Sequence, residues 1–191
     1  MEIAVIGTGF IGGTLGTALS HAGHQVRFGS RHPDDDAVAQ DADARVVPID
    51  EALDGADAVI LAVPGPAVAE LVAGHGDRLS GHLVVDATNR MGEPVANCRR
   101  DLPEDVRYAR AFNTLGGEVM ADPGFADGPA DLFFSAPESD RATVETLVEG
   151  VGLRPVFIGS DAEAVVDGLF RLWIALVPEH GRRHALRLVE E

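Results

Sequence analysis

A chain of 191 residues, 46% of them hydrophobic, suits one α/β domain with a modest C-terminal addition. Its formal net charge of −16 argues against nucleic-acid binding and against docking on an anionic membrane, so an anionic ligand must be met by a local cluster of donors. All 15 basic residues other than histidine are arginine, and the single cysteine, Cys98, has no partner for an internal disulfide, which fits a reducing cytoplasm.

The chain opens on a strand. Met1 to Ile6 is a short apolar run rich in β-branched residues, so no secretory leader is expected. It leads into Gly7-Thr8-Gly9-Phe10-Ile11-Gly12, and Phe10 to His21 has helical spacing with Leu15, Ala18 and Leu19 on one face. A G-x-G-x-x-G between a strand and a helix is the dinucleotide-binding pattern. Gly7 permits the tight turn, Gly9 lets a pyrophosphate approach the backbone, and Gly12 lets the helix pack closely. The free N–H groups and the helix dipole then favour phosphate.

The second strand, Gln25 to Phe28, ends in Gly29-Ser30-Arg31-His32. An NAD site usually has a carboxylate there, for the ribose 2′-hydroxyl. Here a hydroxyl and a guanidinium stand in its place, and both suit a 2′-phosphate, so the reading is NADP(H). Asp34, Asp35 and Asp36 follow, and Pro33-Asp34 reads as a helix start that turns them away.

The alternation continues. Arg45 to Val47 is a short strand, and Ile49 to Asp54 a short helix. Asp57 to Val63 is a wholly apolar strand, hence central. Pro64 to Pro66 ends it and opens a helix over Ala67 to about Ala73. His82–Asp86, Val106–Phe112, Asp131–Ser135 and Leu153–Ile158 read as strands, with a helix over Glu138–Gly150. The sum is a doubly wound, mostly parallel sheet, an NAD(P)-binding Rossmann domain over residues 1–158. Residues 159–191 form a small C-terminal helical region, packed on the cleft or on a partner subunit. It comprises an amphipathic helix from Asp161 to Val177, an interruption at Pro178, and an arginine-rich helix from Gly181 to Glu191. The apolar face at Leu169, Phe170 and Trp173 suggests a homodimer, although Trp173 also suits core packing. No apolar run reaches the length of a membrane span.

In such a sheet, ligands lie beyond the carboxyl ends of the strands. Those ends carry Ala62-Val63-Pro64, Ala87-Thr88-Asn89-Arg90 and Ala111-Phe112-Asn113-Thr114. Asn89 and Asn113 could each present an amide to the nicotinamide carboxamide or to a substrate carbonyl, and Asn is equally at home as a turn cap. No Ser-His-Asp set and no Tyr-x-x-x-Lys pair is visible, and no histidine has an evident orienting partner. Hydride transfer between stacked rings needs position more than acid–base help. No catalytic side chain or metal site is therefore expected. Cys98, flanked by Arg99 and Arg100, could have a lowered thiol pKa but reads as an inert loop residue.

The stretches Ile3–Gly16, Phe28–Arg31, Val84–Asn89, Ala111–Gly116, Leu132–Phe134 and Leu172–Ile174 resemble the NADPH-dependent F420 reductase family. The resemblance implies Thr8, Gly9, Phe10 and Ile11 at the pyrophosphate, and Ser30 and Arg31 at the 2′-phosphate. Val63, Ala87 and Asn113 would lie along the nicotinamide. It implies a cytoplasmic oxidoreductase passing hydride between NADPH and coenzyme F420 or a related flavin-like acceptor, without a protein nucleophile. Two other readings stay open: a non-catalytic NADP(H)-binding sensor or partner module, and a reductase of another acceptor such as ferric ion or an imine.

Overall fold

A computed structural model describes residues 1–35, 44–92 and 96–189. In chain order it contains β1 (Glu2–Ile6), α1 (Phe10–His21), β2 (Gln25–Ser30), β3 (Arg45–Pro48), α2 (Ile49–Leu53), β4 (Ala58–Leu61), α3 (Val68–Leu79) and β5 (Leu83–Asp86). β6 (Arg107–Arg110), α4 (Gly117–Ala121), β7 (Gly124–Phe125), β8 (Gly128–Pro129), β9 (Asp131–Ser135), α5 (Arg141–Gly150), β10 (Arg154–Gly159) and α6 (Glu163–His180) follow.

Eight strands form one sheet in the order β10-β9-β6-β5-β4-β1-β2-β3, and β7 and β8 make a separate hairpin. Strand pairing in the large sheet is parallel except at the β6–β9 junction, where Arg110 faces Ser135. The order reverses direction between β1 and β4, and that switch point is where a doubly wound sheet opens its ligand crevice. The fold is the doubly wound, Rossmann-like one read from the sequence.

Burial explains the alternation. Every residue of β4 is fully buried, as its unbroken apolar run requires of a central strand. One face of the sheet packs Leu15 and Leu19 of α1 with Val144 and Leu147 of α5. The other packs Ala52 and Leu53 of α2 with Val68, Leu71 and Leu79 of α3. Gly16 is required because a Cβ there would overlap the Phe28 ring.

Several boundaries differ from the sequence reading. The helix expected to stop near Ala73 runs on to Leu79. Leu71 and Leu79 are both buried, and that packing outweighs the propensity cost of Gly74 and Gly76. Pro33–Asp35 forms only a single 3₁₀ turn, and Asp36 lies outside the described residues. Pro178 does not interrupt α6. It sits in the last turn, where the missing N–H costs one hydrogen bond, and the helix reaches His180.

The second C-terminal helix is absent from residues 181–189, and residues 190 and 191 lie outside the described part. Gly181, at φ 70°, ends α6 in the left-handed region. The following chain is then held by tertiary bonds. Arg182 pairs with Glu118, Arg183 donates to the carbonyls of Asp122 and Gly124, and the Leu188 N–H donates to Asp131. Phe170 and Trp173 face inward and pack with Ala96. The apolar residues that α6 leaves exposed are Val165 and Leu172. Among the described residues no helix is long and apolar enough to cross a membrane.

Candidate dinucleotide site

The glycine turn lies at the switch point. Gly7 has φ 113°, and a Cβ on it would stand 2.6 Å from the Ala62 carbonyl oxygen, so only glycine fits. A Cβ on Gly12 would overlap the Gly7 carbonyl, which makes Gly12 part of the turn itself. Gly9 is different. Its φ of −70° suits any residue, and nothing lies within 4 Å of an added Cβ. The fold does not require glycine at that position, and the open space leaves room for a ligand to approach the backbone. Gly9 caps α1 without a side-chain hydrogen bond, and the first turn carries no acid. The positive end of the helix dipole therefore stays available to an anion.

A cleft of about 640 Å³ runs outward from this turn. Gly7, Thr8, Gly9, Ser30, Arg31, Ala62, Val63 and Pro64 line it. Phe10 and Ile11 stand beside it against α4, where both abut Gly117. At the far end, the Arg31 guanidinium is 70% exposed and lies 3.9 Å from the Glu70 carboxylate of α3. An exposed pair at that distance holds little energy, so Arg31 can turn to an incoming phosphate. Ser30 Oγ accepts from the His32 N–H at 3.1 Å, which holds the loop at the tip of β2. His75 meets Asp50 at 2.6 Å on this rim, a pairing across 25 positions that local spacing cannot reveal.

Ala87, Asn89 and Asn113, at the ends of β5 and β6, are not among the residues that line this cleft. Arg110 is fully buried and is the largest such side chain. Its Nε donates to Asp167 of α6 at 2.8 Å, and its terminal nitrogens donate to the carbonyls of Asp86 and Thr88 and to Asn89 Oδ1. Burial alone would lower the guanidinium pKa, but Asp86 and Asp167 beside it hold it above its ordinary value. Asp86 also accepts from Thr88, from the Cys98 backbone N–H and from the Tyr108 hydroxyl. Sequence reasoning missed this network entirely. A buried arginine between two buried aspartates has no local signature.

Asn89 and Asn113 come together here, with different duties. Asn89 Nδ2 donates to the Asn113 carbonyl at 3.0 Å, so the Asn89 amide is engaged by the protein. Asn113 is buried, and neither its Nδ2 nor its Oδ1 has a protein partner. The residue before it, Phe112, has φ 60°, a strain of about 1–3 kcal/mol that tends to mark functional corners. Ala87 is buried at the end of β5, its N–H bonded to the Leu61 carbonyl.

Cys98 corrects the suggestion drawn from its arginine neighbours. Its side chain is fully buried, and burial, together with Asp86, pushes its pKa far above the usual thiol range. A neutral buried thiol is a poor nucleophile. Labelling by a disulfide reagent is therefore expected to be slow in the folded protein up to pH 9 and fast after unfolding. Rapid native-state labelling would contradict this burial. Among the described residues no cluster of three or more His, Cys, Asp or Glu side chains could hold a metal ion.

The switch-point cleft and its glycine turn define a Rossmann-type dinucleotide-binding domain. Residues 2–90 match the family described as NADP oxidoreductase, coenzyme F420-dependent, which bears out the resemblance read from the sequence. The crystal structure of a candidate F420-dependent NADP-reductase from Arthrobacter sp. FB24 aligns over all of both chains, with a TM-score of 0.82 and 27% identity. Protein SMa0349 of Sinorhizobium meliloti aligns over 100% of this chain and 96% of its own, with a TM-score of 0.73 and 28% identity. An imine reductase of Streptomyces aurantiacus shares the fold at 17% identity, over 92% of this chain and 61% of its own, with a TM-score of 0.73. Among curated proteins, D-apionate oxidoisomerase of Rhizobium rhizogenes is 42% identical over 89 residues, 44% of this chain. Glycerol-3-phosphate dehydrogenase [NAD(P)+] of Pseudomonas fluorescens is 25% identical over 134 residues, 62% of this chain. The chain spans 31% and 38% of the lengths of these two relatives.

Proposed function

We propose that this chain is an NADP(H)-dependent oxidoreductase that passes hydride between NADPH and coenzyme F420 or a related flavin-like acceptor. One observation carries the cofactor reading: the open space over Gly9 leads along one cleft to Ser30 and Arg31, and β2 itself ends without a carboxylate, Glu70 reaching Arg31 from α3. The orphaned amide of Asn113 supports it from the other end, because a buried amide without partners is met by a ligand or by water. Likeness to the Arthrobacter protein along the full chain supports the choice of acceptor.

When bound, NADPH supplies the hydride. The chain's own residues bind and orient. The turn at Gly7–Gly12 takes the pyrophosphate on backbone N–H groups, and Ser30 and Arg31 take the 2′-phosphate. Val63 and Ala87 offer an apolar wall to the nicotinamide, and Asn113 offers its amide to the carboxamide. No protein nucleophile is required, and buried Cys98 takes no part, so Cys98→Ser should retain nearly full activity.

Arg31→Ala should lower NADPH affinity by about tenfold to a hundredfold, the loss of one charge-assisted contact. NADH affinity should barely change. Equal affinity of the unsubstituted protein for both cofactors would sink the assignment. The acceptor is tested by offering NADPH with F420, flavin mononucleotide, a ferric chelate and a cyclic imine, and F420 should be reduced fastest. NADPH bound but oxidised by none of them would identify a sensor module instead.

The chain is further proposed to work in the cytoplasm as a homodimer. The large apolar residues that α6 leaves exposed are Val165 and Leu172, with Leu169 and Leu176 half-buried beside them, while Phe170 and Trp173 face inward. A monomer in sedimentation at micromolar concentration would refute the dimer.

A further inference from the structure

We propose that Arg110 is a positioning residue for the nicotinamide end, acting through Asn89 on the corner at Phe112–Asn113. The inference rests on the NADP(H) reading and adds to it a role for buried residues outside the cleft.

The bonds run in one direction of dependence. Arg110 donates to Asn89 Oδ1 at 3.0 Å. That contact decides which way the Asn89 amide is turned, because only its oxygen can accept from a guanidinium. With the oxygen so placed, Asn89 Nδ2 faces the Asn113 carbonyl and donates to it at 3.0 Å. The Asn113 backbone is thereby tied to the end of β5. The tie falls on the residue just after Phe112, whose positive φ needs support from its surroundings. The Asn113 side chain is left with no protein partner on either amide atom. A network meant only for stability would be expected to satisfy that buried amide too. This one fixes the backbone and leaves the side chain for a ligand.

Arg110 is itself anchored from the C-terminal part of the chain. Asp167 of α6 accepts from its Nε at 2.8 Å and from Asn97 Nδ2 at 2.7 Å. The order of dependence is thus α6, Arg110, Asn89, Asn113. Lysine cannot replace arginine here, because one ammonium cannot span Asp167 and Asn89 with a planar fork.

The test compares two probes on Asn89→Ala and Arg110→Lys. Adenosine 2′,5′-bisphosphate occupies only the adenine end, and NADPH reaches both ends. The bisphosphate should bind both variants within about twofold of the unsubstituted protein, while NADPH should weaken at least about tenfold. Any change in the fluorescence that NADPH acquires on binding should be lost with it. Asn113→Ala should give the same pattern, and adding Asn89→Ala to it should cost little more, because the two act in series. Equal weakening of both probes would mean a general softening, and unchanged NADPH affinity would mean that the chain of bonds does not reach the ligand. Either result overturns the proposal. If Arg110→Lys does not fold, half-buried Asn89→Ala decides alone. Failure of the unsubstituted protein to bind either probe would instead overturn the NADP(H) reading.

Discussion

Gly9→Val should abolish NADPH binding in a protein that still folds. The two halves of that result have separate causes. The fold tolerates the side chain because no atom lies within 4 Å of a Cβ at Gly9 and its φ of −70° is open to any residue. The ligand does not tolerate it, because the valine would stand where the pyrophosphate must approach the first turn of α1. Losing two charge-assisted backbone contacts corresponds to about 3–6 kcal/mol, a hundredfold or more in affinity. Titration with NADPH, alongside circular dichroism, reads both halves. Gly12→Val is the contrast. Its Cβ would overlap the Gly7 carbonyl, so that variant should lose the fold and binding together. A folded Gly9→Val protein that still binds NADPH would show that the phosphates sit elsewhere.

Arg110→Leu should be the most destabilising single substitution in the sheet. The leucine leaves Asp86 and Asp167 buried without their cation, and strands the Thr88 carbonyl and Asn89 Oδ1 without a donor. Breaking a buried ion pair from one side costs about 3–5 kcal/mol, because the orphaned charge stays in a low-dielectric interior. For a chain of this size, that lowers the melting temperature by about 6–20 °C. A thermal melt measures it. A shift of less than about 2 °C would mean that water or a rearranged partner already compensates the two carboxylates.

Of the proposed site, the glycine turn and the tip of β2 were legible in the sequence, and the corner at Asn89 and Asn113 was legible only in part. The reason is how far each signal travels along the chain. Gly7, Gly9 and Gly12 are set by local geometry, and Ser30 and Arg31 stand at a position defined by the end of one strand. Local chemistry at fixed spacing survives in a sequence. The Arg110 network joins residues 21 to 57 positions apart, and a guanidinium buried between Asp86 and Asp167 looks in sequence like any surface arginine. Asn113 was visible as a strand-end amide. That it is left unpartnered while Asn89 is engaged came only from seeing which atoms face which.

The C-terminal part divides in the same way. Hydrophobic spacing alone predicted α6, because a 3.6-residue period is written into the order of its residues. It could not tell which apolar residues face inward, since Phe170 and Trp173 share a stripe with Leu169 and only the shape of the neighbouring sheet selects between them. The arginine-rich segment after Gly181 has adequate helix propensity, yet residues 181–189 form no helix. Glu118, Asp122 and Asp131 offer its arginines and N–H groups partners that a helix would forgo. Propensity is worth a few tenths of a kcal/mol per residue, and tertiary bonds to charged groups are worth more, so the folded protein decided that segment.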